Sequence, residues 1–533
     1  MRRVAAAVLL CTPTLAGSLA AQARGRAPAT PNPAAVSRAI QTITEADVRA
    51  RISVLADDSM RGRGTPSPEL EEVAAWIASE FRRFGLRPGG DSGTFFQRYV
   101  MRRTQLDTTS FVMAEGRGAH GHWLLGRDAI VGGVLGGTMP EGPISGPLVL
   151  MVGAPADTAR PFGDLNVRGA LVLYLPLPTG RVDFQGLIAK AREAGVRAWI
   201  LAQNVPAPAF AGQARRALRP DMELVSAGAA RAGLPIFAIR DSSAVGVLGT
   251  AGLELGALRA GGPSVRALEG FTAAMQVRYT VLGESSAPNV IGVLEGSDPQ
   301  LRNEYVFYTA HMDHVGAAGM GNGCSARGAD SICNGADDDA SGTAGVVELA
   351  QAFATLQPRP RRSMVFMTVS GEERGLWGSQ FYSDHPTLPL ENTVADLNLD
   401  MIGRLYNNQP GWRDTISVIG KEHSSLGEVA NRVAREHPEL HMQLVDDMWP
   451  AENFYFRSDH YNFARKGVPI LFFFNGTHPD YHQVGDTVDK IDAEKEARVL
   501  QMLFYIGLEV ANADERPQWN PDSRARIVER ATP

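Results

Sequence analysis

The feature that most constrains this chain is a regular alternation of apolar strand-like runs and helical segments between about residues 277 and 513. Such alternation predicts an α/β domain, doubly wound on a mixed sheet. In open sheets of this kind, ligands bind beyond the carboxyl ends of the strands. Polar residues that directly follow the strands are therefore the first candidates for a functional site.

Five polar segments stand at such positions. Four follow predicted strands, and the fifth opens a helix between two strands. The segments are His311-Met312-Asp313 after residues 304–310, Asp337-Asp338-Asp339 before a helix, Glu372-Glu373 after 364–369, Asp400 after 394–399, and Tyr481-His482 beyond 468–474. These side chains can converge at one edge of the sheet, although they are distant in sequence.

Each of these segments alone has an ordinary structural explanation. Aspartates before a helix commonly complement the helix dipole, and a Glu-Glu pair in a loop is commonly solvated. Together these explanations fail, because so many acidic and imidazole groups around one crevice would repel each other unless cations neutralised them. The sequence therefore predicts a metal site.

The types of donor indicate zinc. Two histidines combined with carboxylates suit Zn²⁺, whereas a set of oxygen ligands alone would suggest magnesium or calcium. Two imidazoles and three carboxylates exceed the needs of one tetrahedral ion with an open position. They fit two ions about 3.5–4 Å apart that share a bridging aspartate. We therefore expect two Zn²⁺ per chain, for which cobalt or manganese could substitute.

The ordered motifs resemble those of the dizinc exopeptidases, a family that includes bacterial leucyl-type aminopeptidases, glutamate carboxypeptidase and glutaminyl cyclases. The matching motifs are His-x-Asp at 311, Gly-Ala-Asp-Asp-Asp-Ala-Ser-Gly at 335, Ser-Gly-Glu-Glu at 370, Asn-Leu-Asp-Met-Ile-Gly at 398, and Tyr-His at 481 followed by Asp-Thr at 486. The middle of the chain, with Asn166-Val167-Arg168-Gly169 before a strand, resembles a protease-associated domain.

The resemblance implies a role for each motif residue. The implied ligands are His311 and Asp400 for one zinc, Glu373 and His482 for the other, and Asp338 as the bridge. Glu372 would be the general base, Asp313 would orient the His311 ring, and Tyr481 would steady the oxyanion. A metal-bridging hydroxide would attack the peptide bond, with Glu372 passing a proton to the leaving amine.

Neighbouring residues compete for these roles. His314 lies three residues beyond His311, and His478 lies four before His482, but neither holds the family's ligand position. In Ser458-Asp459-His460, the acid and the imidazole either support the floor of the pocket or cap a helix. We expect the loop 316–333 to overhang the site.

The resemblance favours an aminopeptidase that removes residues from peptide substrates one at a time. A carboxypeptidase or dipeptidase on the same zinc core is the alternative, and Arg404 could anchor a substrate carboxylate in such an enzyme. A glutaminyl cyclase would use a single zinc, and the complete ligand set with the intact Glu372-Glu373 pair argues against it. A receptor-like scaffold should lack metal ligands, and none of the motif ligands is missing.

The first 23 residues resemble an export signal. Arg2 and Arg3 precede a short apolar stretch, and Ala21-Gln22-Ala23 fits a cleavage site. The stretch is too short for a stable membrane span, so we expect a periplasmic or extracellular protein without a membrane anchor after cleavage. The formal charge of −6 of the full chain and the absence of a basic stripe argue against nucleic acid as a partner. Nothing in the sequence indicates an oligomeric state.

In an exported protein, Cys324 and Cys333 favour a local disulfide.

The middle of the chain is predicted to be a β-rich α+β domain without a metal-ligand cluster, inserted as an accessory domain. The predicted parts are a signal peptide (1–23), a flexible leader (24–43), an N-terminal helical part (44–118), the protease-associated domain (119–274), the zinc peptidase domain (275–513) and a polar tail (514–533).

Overall fold

The structure is a computed structural model, which describes residues 31–135, 137–178, 183–225, 232–320 and 323–529. The predicted signal peptide lies outside the described residues. Within these ranges, no helix is both long and apolar enough to cross a membrane.

Helices and strands alternate along much of the chain. The helices are α1 Pro33–Ile40, α2 Glu45–Leu55, α3 Pro68–Arg83, α4 Phe184–Glu193, α5 Ala207–Ala217, α6 Asp241–Thr250, α7 Leu255–Ala260, α8 Ala340–Ala354, α9 Trp377–Asp384, α10 Leu426–Glu436, α11 His460–Ala464, α12 Ala493–Asn512 and α13 Pro521–Ile527. The strands are β1 Arg87–Pro88, β2 Phe96–Leu106, β3 Phe111–Gly116, β4 Ala119–Leu124, β5 Ala129–Leu135, β6 Ile144–Val152, β7 Leu171–Leu175, β8 Ala198–Gln203, β9 Asp221–Leu224, β10 Leu234–Arg240, β11 Ser264–Gln276, β12 Tyr279–Leu294, β13 Tyr305–His311, β14 Ser363–Val369, β15 Thr393–Leu399, β16 Thr415–Ile419, β17 Gln443–Val445 and β18 Ile470–Phe474.

The larger sheet has ten strands in the order β17-β16-β18-β15-β13-β14-β12-β2-β9, with β1 paired to β12. The strands β14, β13, β15 and β18 run parallel, and β12 and β16 flank them in the antiparallel direction. In β13, Val306 and Tyr308 face one hydrophobic cluster while Tyr305 and Phe307 face another. Both faces are therefore buried, which confirms the predicted doubly wound mixed sheet.

Helices cover the two faces of this sheet. Residues of α2, α3, α8 and α12 share the first cluster, and residues of α9 and α11 share the second. Thr44 accepts a hydrogen bond from the backbone N–H of Asp47 at the start of α2, and Ser67 accepts one from Leu70 at the start of α3. The apolar side of α3, which includes Leu70, Ile77 and Phe81, is buried against the sheet.

A second sheet of eight strands lies in the chain between β2 and β12, in the order β4-β3-β11-β6-β7-β8-β10-β5. Its strands β6, β7, β8 and β10 run parallel, and α4 connects β7 to β8 in a β-α-β unit. This β-rich α+β composition agrees with the predicted fold class. The short strand β9 departs from it, because it pairs with β2 and extends the larger sheet.

Two terminal predictions are wrong. Residues 33–40, predicted to belong to a flexible leader, form α1, in which Ala35 and Ala39 are buried. Residues 521–527, predicted to belong to a polar tail, form the helix α13, and Ile527 is buried in the second hydrophobic cluster. Both predictions relied on average polarity and overlooked the few apolar side chains that attach these helices to the rest of the protein.

Candidate metal centre

The first group of donors surrounds His311, the last residue of β13. Its Nε2 lies 3.4 Å from Oδ1 of Asp338 and 3.7 Å from Oδ1 of Asp400. All three residues are buried, and their donor atoms converge at one point. Strand pairing explains this arrangement, because β15 runs beside β13 in parallel and Asp400 directly follows it.

The second group lies on the other side of Asp338. Nε2 of His482 is 3.2 Å from Oδ2 of Asp338 and 3.2 Å from Oε2 of Glu373. His314 joins this group, with its Nδ1 2.9 Å from Oε1 of Glu373 and 3.6 Å from Oδ2 of Asp338. Asp338 thus presents one oxygen to each group. The five predicted ligands lie together, with His314 added.

Hydrogen bonding does not account for the second group. Among the described residues, Oδ2 of Asp338, Oε1 of Glu373 and both ring nitrogens of His314 are buried without a hydrogen-bond partner. Each buried polar group left this way costs about 1–3 kcal/mol. Imidazole nitrogens and carboxylate oxygens that face one another at these distances form a donor set that suits zinc.

The charge on Asp338 is stabilised by its surroundings. Burial acts to raise the pKa of this carboxyl, but the imidazoles of His314, His311 and His482 outweigh burial and hold the pKa well below its usual range. Burial acts to lower the pKa of His482, but its contacts with Asp338 and Glu373 raise it to about 10. Asp338 is therefore ionised, as a carboxylate ligand must be.

The two aspartates beside Asp338 hold the loop in place. Asp339 caps α8 by accepting from the N–H of Gly342 at 2.9 Å, and its other oxygen accepts from the N–H of His311 at 3.1 Å. Asp337 accepts from the N–H of Gly403 at 2.7 Å. The three consecutive aspartates thus differ in role, because only Asp338 points between the two donor groups.

Asp313 contacts the His311 ring through its backbone carbonyl rather than through its carboxylate. Nδ1 of His311 lies 3.1 Å from the backbone carbonyl of Asp313, whereas the carboxylate Oδ1 is 3.9 Å away. That carboxylate accepts from Thr65 Oγ1 at 2.7 Å and from the N–H of Glu372 at 3.3 Å. The side chain of Asp313 therefore holds the Glu372 backbone, and its carbonyl faces the imidazole.

Glu372 lines a cavity beside the donor groups. Burial raises the pKa of this carboxyl well above its usual range; His311 opposes the shift, and the charges of Glu373 and Asp400 add to it. A carboxylate with a raised pKa is a stronger base, so these surroundings suit a group that accepts and returns a proton.

The cavity encloses about 360 Å³, including its open mouth. Its apolar wall consists of Met401, Phe454, Phe472 and Phe474, and Tyr481 lies at its edge beside His482. Burial raises the pKa of the Tyr481 hydroxyl, and neighbouring carboxylates raise it further. The hydroxyl therefore keeps its proton and can donate a hydrogen bond into the cavity.

The competing residues take separate places. Ser458 donates its hydroxyl to Oδ2 of Asp400 at 2.8 Å, and His460 stacks on Phe472, so this motif supports the pocket floor. His478 lies 3.3 Å from Oδ2 of Asp337, outside both donor groups.

Arg404, considered as a carboxylate anchor, makes ion pairs within the protein. Its Nη2 lies 2.9 Å from Asp480 and its Nη1 lies 3.4 Å from Asp486. Asp486 in turn accepts from the N–H groups of Asp337 and Asp338 at 3.0 Å and 3.1 Å. Arg404 therefore holds Asp486, and Asp486 in turn holds the backbone of the loop that carries Asp338.

Sequence reasoning missed Arg63, which is 1% exposed between α2 and α3. Its guanidinium donates to the carbonyls of Met312 at 2.9 Å, Asn334 at 2.6 Å and Gly335 at 2.9 Å. A further bond at 2.7 Å reaches Leu55. Arg63 thus ties the strand end at His311 to the loop before Asp338. The only local signal was the dense Arg-Gly-Arg-Gly-Thr-Pro turn at residues 61–66.

The predicted disulfide between Cys324 and Cys333 is present. Cys333 is buried, and its sulfur lies 3.8 Å from the carbonyl oxygen of His482. One end of the loop 316–333 is therefore fixed beside the second donor group.

An α/β sheet with two groups of imidazole and carboxylate donors at its carboxyl edge has the arrangement of a two-metal hydrolase site. Residues 289–506 match the model of Peptidase family M28. This span contains both donor groups, Glu372 and Tyr481. The match covers 218 of the 533 residues and supports, over that part of the chain, the resemblance to zinc exopeptidases that the motifs indicate.

Curated relatives are similar over parts of their length. A probable zinc metalloprotease of Pyricularia oryzae is 41% identical over 100 residues, 18% of this chain and 19% of the relative. A second one, from Leptosphaeria maculans, is 27% identical over 248 residues, 40% of this chain and 54% of the relative. Aminopeptidase NAALADL1 of Mus musculus is 32% identical over 149 residues, 26% and 17% of the two chains. The chain thus spans about half the length of these relatives or less.

Solved structures with similar chains include two bacterial aminopeptidases. The aminopeptidase from Aneurinibacillus sp. strain AM-1 is 18% identical with a TM-score of 0.48, over 90% of this chain and 97% of that chain. The zinc aminopeptidase BSAP from Bacillus subtilis is 17% identical with a TM-score of 0.45, over 89% and 96%.

Proposed function

We propose that this protein is an exported dizinc exopeptidase, an aminopeptidase that releases N-terminal residues from peptides. The observation that carries the proposal is the position of Asp338, whose two oxygens face two separate groups of donors. His311 and Asp400 would complete one zinc site, and Glu373 and His482 would complete the other. Zinc bound there would polarise the scissile carbonyl and lower the pKa of a water molecule to roughly 7.

The protein's own residues would then move the protons and stabilise charge. Glu372 accepts a proton from the attacking water and returns one to the leaving amine, a role that is typically worth about 10²–10⁴-fold in rate. Tyr481 donates its hydroxyl to the oxygen on which negative charge develops. The backbone of Glu372 is held by Asp313, so the base does not depend on the substrate for its position.

The burial and ion pairing of Arg404 favour an aminopeptidase over a carboxypeptidase. Its guanidinium is 2% exposed and already pairs with Asp480 and Asp486, so it does not reach the cavity as an anchor for a substrate carboxylate.

The direct test compares free-amine aminoacyl p-nitroanilides with the same compounds blocked at nitrogen, while metal content is measured. We expect about two zinc ions per chain and turnover of the free-amine compounds alone. Equal turnover of both sets would contradict the aminopeptidase assignment. Preferential release of C-terminal residues from N-blocked peptides would instead support the carboxypeptidase alternative.

We further propose that the chain is exported after cleavage behind Ala23 and that its middle segment is a protease-associated domain. The Arg2-Arg3 start and the Cys324–Cys333 disulfide support export to an oxidising compartment. Sequencing the N-terminus of the mature protein tests the first proposal, with Arg24 expected as the first residue. Recovery of the uncleaved chain from the cytoplasm alone would contradict it.

A further inference from the structure

We propose that His314 is an additional ligand of the second zinc, beside Asp338, Glu373 and His482. This inference rests on the proposed dizinc centre and adds to its ligand set. Its main support is that Nδ1 of His314 lies 2.9 Å from Oε1 of Glu373, although neither ring nitrogen of His314 makes a hydrogen bond among the described residues. The two atoms approach closely but are not aligned for proton sharing, as expected of two ligands of one ion.

The fold holds this imidazole close to the centre. The backbone N–H of His314 donates to the carbonyl of Arg63 at 3.3 Å, which holds the chain after β13 against the turn at residues 61–66. The side chain is fully buried. A Cβ on residue 335 would lie 2.5 Å from Cγ of His314, so the ring occupies space that only a glycine there leaves free.

The neighbouring rings are compatible with a shared ion. The rings of His314 and His482 are 5.5 Å apart at an angle of 76°, so their edges rather than their faces approach each other. Both rings direct a nitrogen at the same two carboxylates, Asp338 and Glu373.

The extra ligand makes the two sites unequal. The second zinc would have four protein donors, as in closed structural sites, while the first would have three and keep an open position. The second site would therefore hold zinc more tightly than the site formed by His311, Asp338 and Asp400.

A different role for His314 is a hydrogen bond to Glu373 alone, and one substitution separates the two roles. In His314→Asn, the amide nitrogen can occupy a position near that of Nδ1 and donate to Glu373, but an amide is a poor zinc ligand. His314→Ala removes both functions. His120→Ala serves as the control, because His120 is an exposed residue of β4 in the other sheet.

The test measures zinc affinity by competition with a chelator, together with zinc X-ray absorption spectra of the loaded enzymes. We expect His314→Ala and His314→Asn each to weaken the tighter zinc by at least about 100-fold, beyond the usual effect of an outer-shell partner. The wild type should show three imidazoles shared by two ions, and both variants should show two. His120→Ala should match the wild type.

Melting temperatures of the metal-free proteins show whether each variant still folds. Unchanged affinity and an unchanged imidazole signal in a folded His314→Asn would overturn the proposal, while leaving the aminopeptidase assignment intact. Absence of zinc from the wild type would refute the proposed function itself. The two failures are therefore distinguishable.

Discussion

At the residue scale, Glu372 and Glu373 are neighbours in sequence but have different surroundings. Glu373 points at the imidazoles of His314 and His482, while Glu372 faces the cavity and carries a raised pKa. A turn after β14 therefore divides one dipeptide between metal binding and proton transfer. The same division applies to Asp338 and its two flanking aspartates.

Glu372→Gln should keep about two zinc ions per chain, because residue 372 lies outside the donor groups. Its kcat should fall by at least about 100-fold, since the amide cannot accept a proton. Kinetics on an aminoacyl p-nitroanilide and metal analysis check both expectations. Glu373→Gln is the matched comparison and should lose zinc. Zinc loss from Glu372→Gln, with retention in Glu373→Gln, would reverse the two assignments.

His482→Ala should lower zinc content and activity together, whereas His478→Ala should retain about two zinc ions per chain. The reason is that His482 contacts Asp338 and Glu373 while His478 contacts Asp337. Metal analysis of both purified variants is the measurement. The prediction fails if both variants lose zinc to the same extent.

Asp396 provides a pH-dependent prediction away from the metals. This residue of β15 is fully buried, and burial raises its pKa from 3.8 to about 8 while a hydrogen bond from Thr309 opposes the shift. The folded state therefore keeps a proton that the unfolded chain releases. The resulting stability is complete below about pH 4 and is lost as the pH rises towards 8.

Asp396→Asn lacks this titration. Its free energy of unfolding should increase relative to the wild type between about pH 4 and pH 8, by on the order of a few kcal/mol. Urea unfolding of both proteins across that range provides the measurement. A difference that stays constant with pH would show that Asp396 does not hold its proton in the folded state.

At the scale of elements, the turn at residues 57–66 connects α2 and α3 and also supports the site. Arg63 donates to the carbonyls beside both metal loops, and Thr65 donates to Asp313 and accepts from the N–H of Gly371. This turn, which carries no catalytic residue of its own, thus orients loops that follow two strands of the sheet, β13 and β14.

Arg63→Lys should lower the free energy of unfolding by about 1–3 kcal/mol, because the three N–H donors of a lysine cannot serve four carbonyls and at least one would remain buried without a partner. Zinc affinity should fall as well, since the loops at Met312 and Gly335 lose their common donor. Arg61→Lys is the control, because Arg61 is exposed and its one ion pair within the described part of the chain is with Glu69 at 3.5 Å. Equal effects of the two substitutions would contradict this role of Arg63.

At the scale of the whole molecule, the second sheet is joined to the first by β2, β9 and β12. Burial lowers the pKa of the Arg374 guanidinium while Asp221 of β9 opposes that shift, and Arg374 donates to the carbonyl of Thr65 at 3.0 Å. Strand β9 of the middle segment also pairs with β2 of the larger sheet, so the middle segment contacts the domain that carries the site. Because it offers no donor cluster among its described residues, we expect it to limit access to the site.

Leu106 of β2 and Tyr279 of β12 are paired neighbours, so residues 107–278 can be replaced by an Asn-Gly turn that closes a hairpin. The shortened protein should bind about two zinc ions and retain part of its turnover of a minimal aminoacyl substrate, while its preference for peptide length changes. Assays with peptides of increasing length test this. A folded, zinc-loaded protein without activity on the smallest substrate would show that the middle segment supplies an active-site group.

The sequence alone determined the donors and the sheet edge at which they meet. Strand and helix periodicity is local, and each proposed ligand stands next to the end of an element, so position in sequence predicts position in space. The same holds for the cysteine pair, whose members are nine residues apart.

Only the tertiary structure decided which residues support those donors and which further residue joins them. Arg63 donates to carbonyls that are 249 to 272 residues away in sequence. Strand β9 pairs with β2 and not with the strands that flank it in the chain. His314 points towards Glu373 rather than solvent. Such contacts join segments whose local patterns are independent of one another. They are selected by packing and by the need to satisfy buried polar groups, which depend on the whole fold.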